Sequence, residues 1–492
     1  MHMALSTGGR RSLAAPPKAS DHMDSKTEYH AVSFAQLADP IGDTLTCAHG
    51  RLHFDGVDVP EFAAKTPTPF FLFSAAQLDR NIAALRETFQ SRHPQTRIFY
   101  ASKACSNLWV LDRVRRAGID IEVNSGGELW KARRAGFTPE QIVFNGVAKT
   151  REELTAALQP PLESIVVDSV CELKRVAEVA AGLDVEARVT LRADLNVASE
   201  THPSLRTSKG AKAGIDATEA LAAFGLAKQL AHIKVVGMHY HIGSQITKLD
   251  PYTEALDYAL GLLSKIETTH DIRLEHLNIG GGFAIPYYDR HGNEPNTYFE
   301  APHNLDGYSS AICGMIEKNR PGLKLYLEPG RAVVGNSAIL VSRIESEKTK
   351  FVEDDAGAVA REDWLMIDAG FNTLLEHSSY KWYFLAVAAN RCDQSAARPF
   401  RIGGPLCDGG DVYTGDPGSN FRHLPKDTTL GNLLAFFDVG AYSLECMSAY
   451  NGRDQAAAYM VDEQGVREIA ARRTVADFVA GECFPGGEPT AG

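Results

Sequence analysis

Arg97-Ile-Phe-Tyr-Ala-Ser-Lys-Ala-Cys-Ser106 is the stretch on which the fold turns. Ile98, Phe99 and Tyr100 form a short apolar run of the kind that makes a buried strand, and a helical pattern starts within a few residues of Lys103. A lysine at the C-terminal mouth of a buried strand stands where an α/β barrel keeps its chemistry. Such an amine, partly desolvated, is expected to lose its proton easily and to form a Schiff base with a carbonyl compound. The plainer reading is a lysine that caps a strand and points into water, so the weight falls on what surrounds it.

Outward from this stretch the pattern repeats. Apolar strand-like runs fall at 97–102, 119–124, 142–145, 164–168, 186–193, 234–241, 274–279 and 324–328, and helical stretches lie between most of them. Gly118 and Gly136 follow helices at positions where a left-handed cap is wanted. Strands alternating with helices in this number predict a (β/α)₈ TIM-like barrel, with a doubly wound open sheet as the structural alternative. After Arg331 the texture changes to turn-rich strand-like runs at 337–349, 364–369, 383–389, 399–403, 432–438 and 457–470, which predict a mostly antiparallel β domain. The expected organisation is a disordered arm over 1–30, an extension over 31–73 lending strands to the β domain, the barrel over 74–335 and the β domain over 336–492.

Composition narrows the function classes. Of 492 residues 44% are apolar and 23% charged, and the formal charge is −12, with no basic stripe to meet a nucleic acid. No apolar run is long enough to span a membrane, and the first residues lack the apolar segment of a secretory signal. The eight cysteines form no CxxC pair, which argues against a structural zinc site or a dense disulfide framework and suits a reducing cytoplasm.

If the strands are placed correctly, polar residues collect at their C-terminal ends: Lys103, then Glu122 and Asn124, Asn145, Arg192, His239 and His241, Gly280-Gly281-Gly282, and Glu328-Pro-Gly330-Arg331. A barrel would bring all of these to one cavity. The glycine triplet lets backbone N–H groups approach an anion, and Arg331 and Ser244 add donors for a phosphate; three glycines alone would mean only a tight turn. Alternation puts His239 and His241 on one face, and a packed core histidine is the default for one of them. A Schiff-base lysine, a phosphate cradle and an acid opposite together call for pyridoxal 5'-phosphate. Glu328 beside the pyridine nitrogen would favour the protonated ring, the stronger electron sink, and so decarboxylation over racemisation.

At this point the chain resembles the fold-type III, alanine racemase-like pyridoxal phosphate decarboxylases that act on diaminopimelate, ornithine and arginine. The motifs are Tyr100-Ala-Ser-Lys103, His241-Ile-Gly-Ser244, Asn278-Ile-Gly-Gly-Gly-Phe283, Glu328-Pro-Gly-Arg331, Gly404-Pro-Leu-Cys-Asp-Gly-Gly-Asp411 and Gly440-Ala-Tyr442, in the family's order. The resemblance implies that Lys103 carries the cofactor and His241 stacks on its ring. It implies a phosphate held by Ser244, Gly280, Gly281, Gly282, Gly330, Arg331 and Tyr442, with Glu328 on the ring nitrogen and Glu122 and Arg192 also about the cofactor. It further implies a homodimer with shared active sites, in which Cys407, as the acid for Cα, and Asp408 reach in from the partner subunit. A free cysteine is otherwise usually a buried small hydrophobe.

The narrower likeness is to a D-ornithine/D-lysine decarboxylase branch. Diaminopimelate decarboxylases resemble each other in an Arg-Pro-Ala-Leu-Tyr segment after Asp-Ala-Gly, whose arginine grips the distal carboxylate. Here Asp368-Ala-Gly is followed by Leu375-Glu376-His377-Ser-Ser-Tyr380, with no arginine in it. Acids in place of an arginine favour an amine at the distal end, with Asp368, Glu376, Tyr380 and Asp408 as the expected substrate residues. The expected activity is removal of the α-carboxylate of a basic amino acid, ornithine or lysine, the D form included. The alternatives are diaminopimelate, a carboxylate-rich siderophore or antibiotic intermediate, racemisation, and a non-catalytic pyridoxal phosphate carrier. A carrier would be expected to lack Lys103 or Cys407, and both are present.

Overall fold

Eight parallel strands close on themselves in the computed structural model, which describes residues 44–199, 201–287, 304–353, 357–416 and 419–483. The arm expected over 1–30 and the start of the extension lie outside the described residues. The strands are β1 (Thr96–Ala101), β2 (Asp120–Val123), β3 (Ile142–Phe144), β4 (Ser164–Val167), β5 (Ala187–Asp194), β6 (Ile233–His239), β7 (His276–Asn278) and β8 (Lys324–Leu327). Each pairs in parallel with the next. Leu325 of β8 then pairs with Thr96 of β1 and closes the barrel. The open-sheet alternative is thereby excluded.

Strands buried on both faces read as near-continuous apolar runs, which is why they were visible in the sequence. In β1 the side chains alternate: Ile98 and Tyr100 join the core under the surrounding helices, while Phe99 packs inside the barrel with Val143, Val166 and Tyr326. His276 lies flat on Tyr326 at 4.0 Å between ring centres and meets Thr190 Oγ1 at 3.0 Å, filling the barrel axis. At the N-terminal end a belt of charges closes the barrel floor, with Arg97 on Asp120 at 2.6 Å and Arg188 on Glu275 at 3.1 Å. The floor is thus filled, and the opposite rim is left for chemistry.

The helices start where the sequence supplies caps. Ser74 accepts from Gln77 N ahead of Ala75–Arg92, Thr150 and Glu153 form a capping box ahead of Arg151–Ala157, and Ser169 caps Val170–Leu183. Gly118 and Gly136 take the left-handed conformation expected of them, with φ of 77° and 92°.

The second layer is a mostly antiparallel sheet built on the long strand Ala338–Glu353, which pairs with Val359–Ile367, Leu433–Phe436 and Phe70–Ser74. Phe70–Ser74 joins it from the N-terminal side and also runs parallel to Ala457–Asp462. Two details differ from the reading of the sequence. The run at 457–470 is a hairpin, Ala457–Asp462 and Gly465–Ala470, turning at Glu463 and Gln464. The strands Leu45–Ala48, Arg51–Phe54 and Val57–Asp58 form a separate three-stranded sheet.

That small sheet docks on residues 389–393, with Leu52 N donating to Ala389 O and Cys392 N to Gly50 O. The docking brings Cys47 and Cys392, 345 residues apart, into a disulfide. No spacing in the sequence pointed to this pairing, because the proximity is purely tertiary. Among the described residues no group of acidic, histidine and cysteine side chains could hold a metal ion, and no helix is long and apolar enough to cross a membrane.

Gly237 sits in β6 at a register shift, and a Cβ there would stand 2.1 Å from His276 Nε2. The ring cannot retreat from its stack on Tyr326 without losing Thr190. Gly237→Ala is expected to cost about 1–3 kcal/mol of stability by overpacking, read as a lower urea midpoint; an unchanged midpoint would show that the floor of the barrel yields.

Candidate active site

Lys103 lies in the single 3₁₀ turn Ser102–Ala104 that follows β1, inside the rim formed by the strand ends. Glu122 on β2 and Glu328 just beyond β8 face it from two sides. The two carboxylates are buried but differ sharply in their surroundings. Glu328 accepts from Asn278 Nδ2 at 2.7 Å, from His239 Nε2 at 3.2 Å and from Asn145 Nδ2 at 3.3 Å. Burial pushes its carboxyl up, but His239, Asn278 and Lys103 outweigh that and hold it at about 2. Glu122 receives only Asn124 Nδ2, at 3.1 Å, and its Oε1 is buried with no partner among the described residues. Burial raises Glu122 to about 8, against Lys103 and with Glu328 and Glu128 repelling it. One rim therefore holds a firmly ionised acid and one close to neutrality at physiological pH.

Lys103 is ringed by protein while its side chain stays open to water in the barrel mouth. Burial pulls its pKa down, yet Glu122, Tyr442 and Glu328 more than offset this, and the amine is held above its ordinary value. The expectation that desolvation would free the amine of its proton is reversed by these neighbours. Arg192, buried on β5, lies among Asp168, Glu328 and Glu122 and adds a fixed positive charge.

His241 is fixed as a neutral ring. Burial, together with Lys103 and Arg192, drives its pKa well down, and Gly281 N donates to its Nδ1 at 3.3 Å, leaving the proton on Nε2. Gly280 has φ of 68°, and a Cβ on it would stand 2.6 Å from that same Nδ1. A Cβ on Gly281 would stand 2.2 Å from Glu328 O. The triplet is glycine because the loop after β7 must press against both His241 and the end of β8. His239, fully buried beneath Glu328, is the core histidine of the pair.

The second half of the site centres on Arg331, which is 3% exposed. Its Nε donates to Ser244 Oγ at 3.4 Å, a terminal nitrogen donates to Tyr287 OH, and the other meets Glu376 Oε1 at 3.4 Å. The guanidinium lies over Tyr442 at 4.9 Å, Trp382 at 5.3 Å and Tyr287 at 5.6 Å. Arg331, Ser244 and Tyr442 are thus brought together, and Gly330 packs against Ala104 in the lysine turn, where a Cβ would come within 3.0 Å.

Glu376 stands in the short helix Glu376–Ser379, beside Arg331, with Oε2 buried and unpartnered among the described residues. Burial raises its carboxyl, and Arg331 opposes the rise. Tyr380 closes the same wall, 5.5 Å from His202. Tyr287, Trp382 and His202 were missed in the sequence. The only signal for Tyr287 was an aromatic pair following the glycine loop; Trp382 and His202 carried none.

One expected residue is placed otherwise. Asp368 spends both oxygens inside the β domain, accepting from Thr68 Oγ1 at 2.5 Å, Ser342 Oγ at 2.6 Å and Arg343 N at 2.9 Å, so it offers no free carboxylate to a substrate. Cys407 and Asp408 lie on an exposed turn, pinned where Asn451 Oδ1 accepts from Cys407 N at 2.7 Å and Asp408 Oδ1 accepts from Gly410 N at 2.8 Å.

A buried acid whose folded pKa is raised makes the folded chain hold a proton that the unfolded chain has released, so stability falls as pH rises through that window. Glu122→Gln, which mimics the protonated acid, is expected to match the parent near pH 4.5 in the cofactor-free protein. It should become increasingly more stable up to about pH 8, by a few kcal/mol in order of magnitude. Urea midpoints across pH check this; parallel curves for the two proteins would show that Glu122 carries no such penalty.

The model of the family described as pyridoxal-dependent decarboxylase, pyridoxal binding domain, matches residues 76–335. The chain is 33% identical over 443 residues to the diaminopimelate decarboxylase of Pseudomonas aeruginosa, covering 89% of this chain and 99% of that one. It is 32% identical over 452 residues to the Methanocaldococcus jannaschii diaminopimelate decarboxylase, covering 90% and 97%. The crystal structure of the M. jannaschii diaminopimelate decarboxylase matches with a TM-score of 0.79 at 31% identity, over 91% of this chain and 99% of that one. These relatives are diaminopimelate decarboxylases, so they support the broad resemblance and not the narrower one to a D-ornithine/D-lysine branch. With a matched pyridoxal-binding domain, relatives along nearly the whole chain and a barrel rim carrying a lysine, two acids and a glycine cradle, this chain belongs to the pyridoxal phosphate-dependent ornithine, arginine and diaminopimelate decarboxylases.

Proposed function

We propose that this enzyme decarboxylates a basic amino acid whose far end carries an ammonium group and no carboxylate, ornithine or lysine in the first place and the D form included, to give a diamine and CO₂. The observation that carries this is Glu376. A buried carboxylate with one oxygen unpartnered among the described residues stands in the substrate wall, where a distal ammonium would complete it and a distal carboxylate would be repelled. The segment is the one in which diaminopimelate decarboxylases resemble each other through an arginine. Diaminopimelate is the second reading. The relatives compared carry that name, and Arg331 beside Glu376 retains N–H donors that a distal carboxylate could use.

The residues fit pyridoxal phosphate. Glu122 Oε1 lacks a partner among the described residues, Glu328 is a strong anion, and the loop after β7 admits no side chain at Gly280 or Gly281. Pyridoxal phosphate, when bound, supplies the sink for the electron pair left at Cα as CO₂ departs. In this reading Lys103 binds the cofactor carbon and Glu328 holds a proton at the ring nitrogen. Its acidity, set by His239 and Asn278, keeps it anionic for that task. His241 covers one ring face and excludes water there. Ser244, the loop Gly280 to Gly282, Gly330, Arg331 and Tyr442 hold the phosphate. Arg192 and Glu122 flank the amine, and Glu122 near neutrality can take or give a proton beside it.

The exposed turn with Cys407 and Asp408 supports their use by a second copy of the chain, with Cys407 delivering the proton to Cα. Neither side chain is buried in its own protomer.

CO₂ release measured on D- and L-lysine, D- and L-ornithine, arginine and diaminopimelate tests the reading. Lysine or ornithine is expected to show the highest kcat/KM, and Glu376→Arg should move the preference toward diaminopimelate by roughly tenfold or more, the scale of one charge pair exchanged for a repulsion. Fastest turnover of diaminopimelate by the unaltered enzyme would establish the second reading instead.

A further inference from the structure

The turn that carries Lys103 belongs to the barrel, but it is gripped from outside it. Glu445, in the stretch after Tyr442, accepts two bonds from one buried residue: Ser106 N at 2.7 Å on Oε1 and Ser106 Oγ at 2.9 Å on Oε2. Lys131 completes the arrangement by donating to Ser106 Oγ at 2.6 Å, with its amine 3.9 Å from Glu445. Tyr442 N donates to Ala104 O at 2.7 Å, one residue from Lys103, and holds a φ of 60° to do so. An aromatic residue in that region is strained, and such strain persists only where the surroundings impose it. Asn107 Nδ2 donates to Ile469 O on the last hairpin. Residues 104–107 are thus tied to the C-terminal part of the chain at three points, two of them within four residues of each other.

We propose that Glu445 is a positioning residue: acting through Ser106, it fixes the turn that aims Lys103, so that the C-terminal domain sets the direction of an amine carried by the barrel. Three features of the chemistry support this. The contact is bidentate and charge-assisted, so it fixes orientation as well as distance. Ser106 is buried, so its N–H and hydroxyl have few other partners once the carboxylate is removed. The carboxylate also lies just ahead of the helix Leu108–Arg116, at the end where an anion is favoured. Lys103 itself has no hydrogen-bond or ion-pair partner among the described residues, so its direction comes from its turn.

The inference rests on Lys103 being the cofactor lysine, and the test separates the two. In the holoenzyme Lys103→Ala should abolish the visible band of the cofactor Schiff base; a band that persists would overturn the lysine assignment and the clamp with it. With that assignment standing, Glu445→Ala should lower kcat roughly tenfold to a hundredfold, as a misaimed group does, with KM changed by less than about threefold. It should also shift the pH midpoint of the visible band by about half a unit or more, because the amine's distances to Glu122 and Glu328 change. Glu445→Gln, which keeps one acceptor for Ser106 N–H, should recover most of both effects. A Glu445→Ala enzyme that is merely less heat-stable, with kcat and midpoint unchanged, would overturn the clamp alone. If that variant does not fold, Ser106→Ala removes one of the two bonds: a midpoint shift in the holoenzyme supports the proposal and an unmoved midpoint overturns it.

Discussion

The pairing of β8 with β1 is the contact on which the rest depends. Leu325 lies opposite Thr96 and Leu327 opposite Ile98. Through that register the residues just past each strand, Glu328 and Lys103, share one rim although 225 positions separate them in the chain. Parallel strands give this convergence without further design, because all eight point their C-terminal ends the same way. A ladder slipped by one residue would turn every inward side chain outward, and Phe99 and Tyr326 would leave the barrel axis together.

Given that frame, the electrostatics follow from how each acid is supplied with donors. Glu328 and Glu122 are both buried carboxylates near one lysine, and burial by itself would raise both. Glu328 collects an amide from β7, a second amide after β3 and an imidazole from β6, whereas Glu122 collects one amide from its own strand end. The separation of the two acids is therefore a property of barrel closure: only Glu328 sits where three other strands can reach it. His241 is kept neutral in the same way, by a backbone N–H from the glycine loop and by the positive charges around it.

Much of this was legible in the sequence because of how buried parallel strands and helix ends are encoded. Ile142-Val-Phe144 and Ser164-Ile-Val-Val167 read as strands since both faces are covered. Gly118 and Gly136 read as caps since few other residues accept their φ. The rim residues from Lys103 to Arg331 could be named because each lies in the last residues of a strand or just past it. What stayed hidden was tertiary. Asp368 looked available until Thr68, 300 positions earlier, was found on it. Cys47 and Cys392 carry no spacing signal, and the turn at Glu463 and Gln464 interrupts the 457–470 run without glycine or proline at its centre. The proton held on Lys103 was misjudged because the sequence put Glu122 and Glu328 on its rim without showing that their pull outweighs burial.

The placement of Glu376 bears most directly on substrate choice. Its helix is short, four residues, and the carboxylate has two unlike oxygens: Oε1 faces Arg331, and Oε2 has no partner among the described residues. Arg331 in turn is enclosed by Tyr442, Trp382 and Tyr287, so the guanidinium cannot swing away to leave Glu376 alone. A buried pair of this kind gains little by itself, because desolvation offsets much of the attraction. It gains more when a third charged group completes it. An incoming ammonium on Oε2 would restore the acid's full set of partners while Arg331 keeps donors free for an anion. A distal carboxylate would have to approach that same acid on the side where it is already negative. In the proposed reading, the asymmetry between those two approaches, set by three aromatic rings that hold one arginine still, makes the distal charge of the substrate the deciding property.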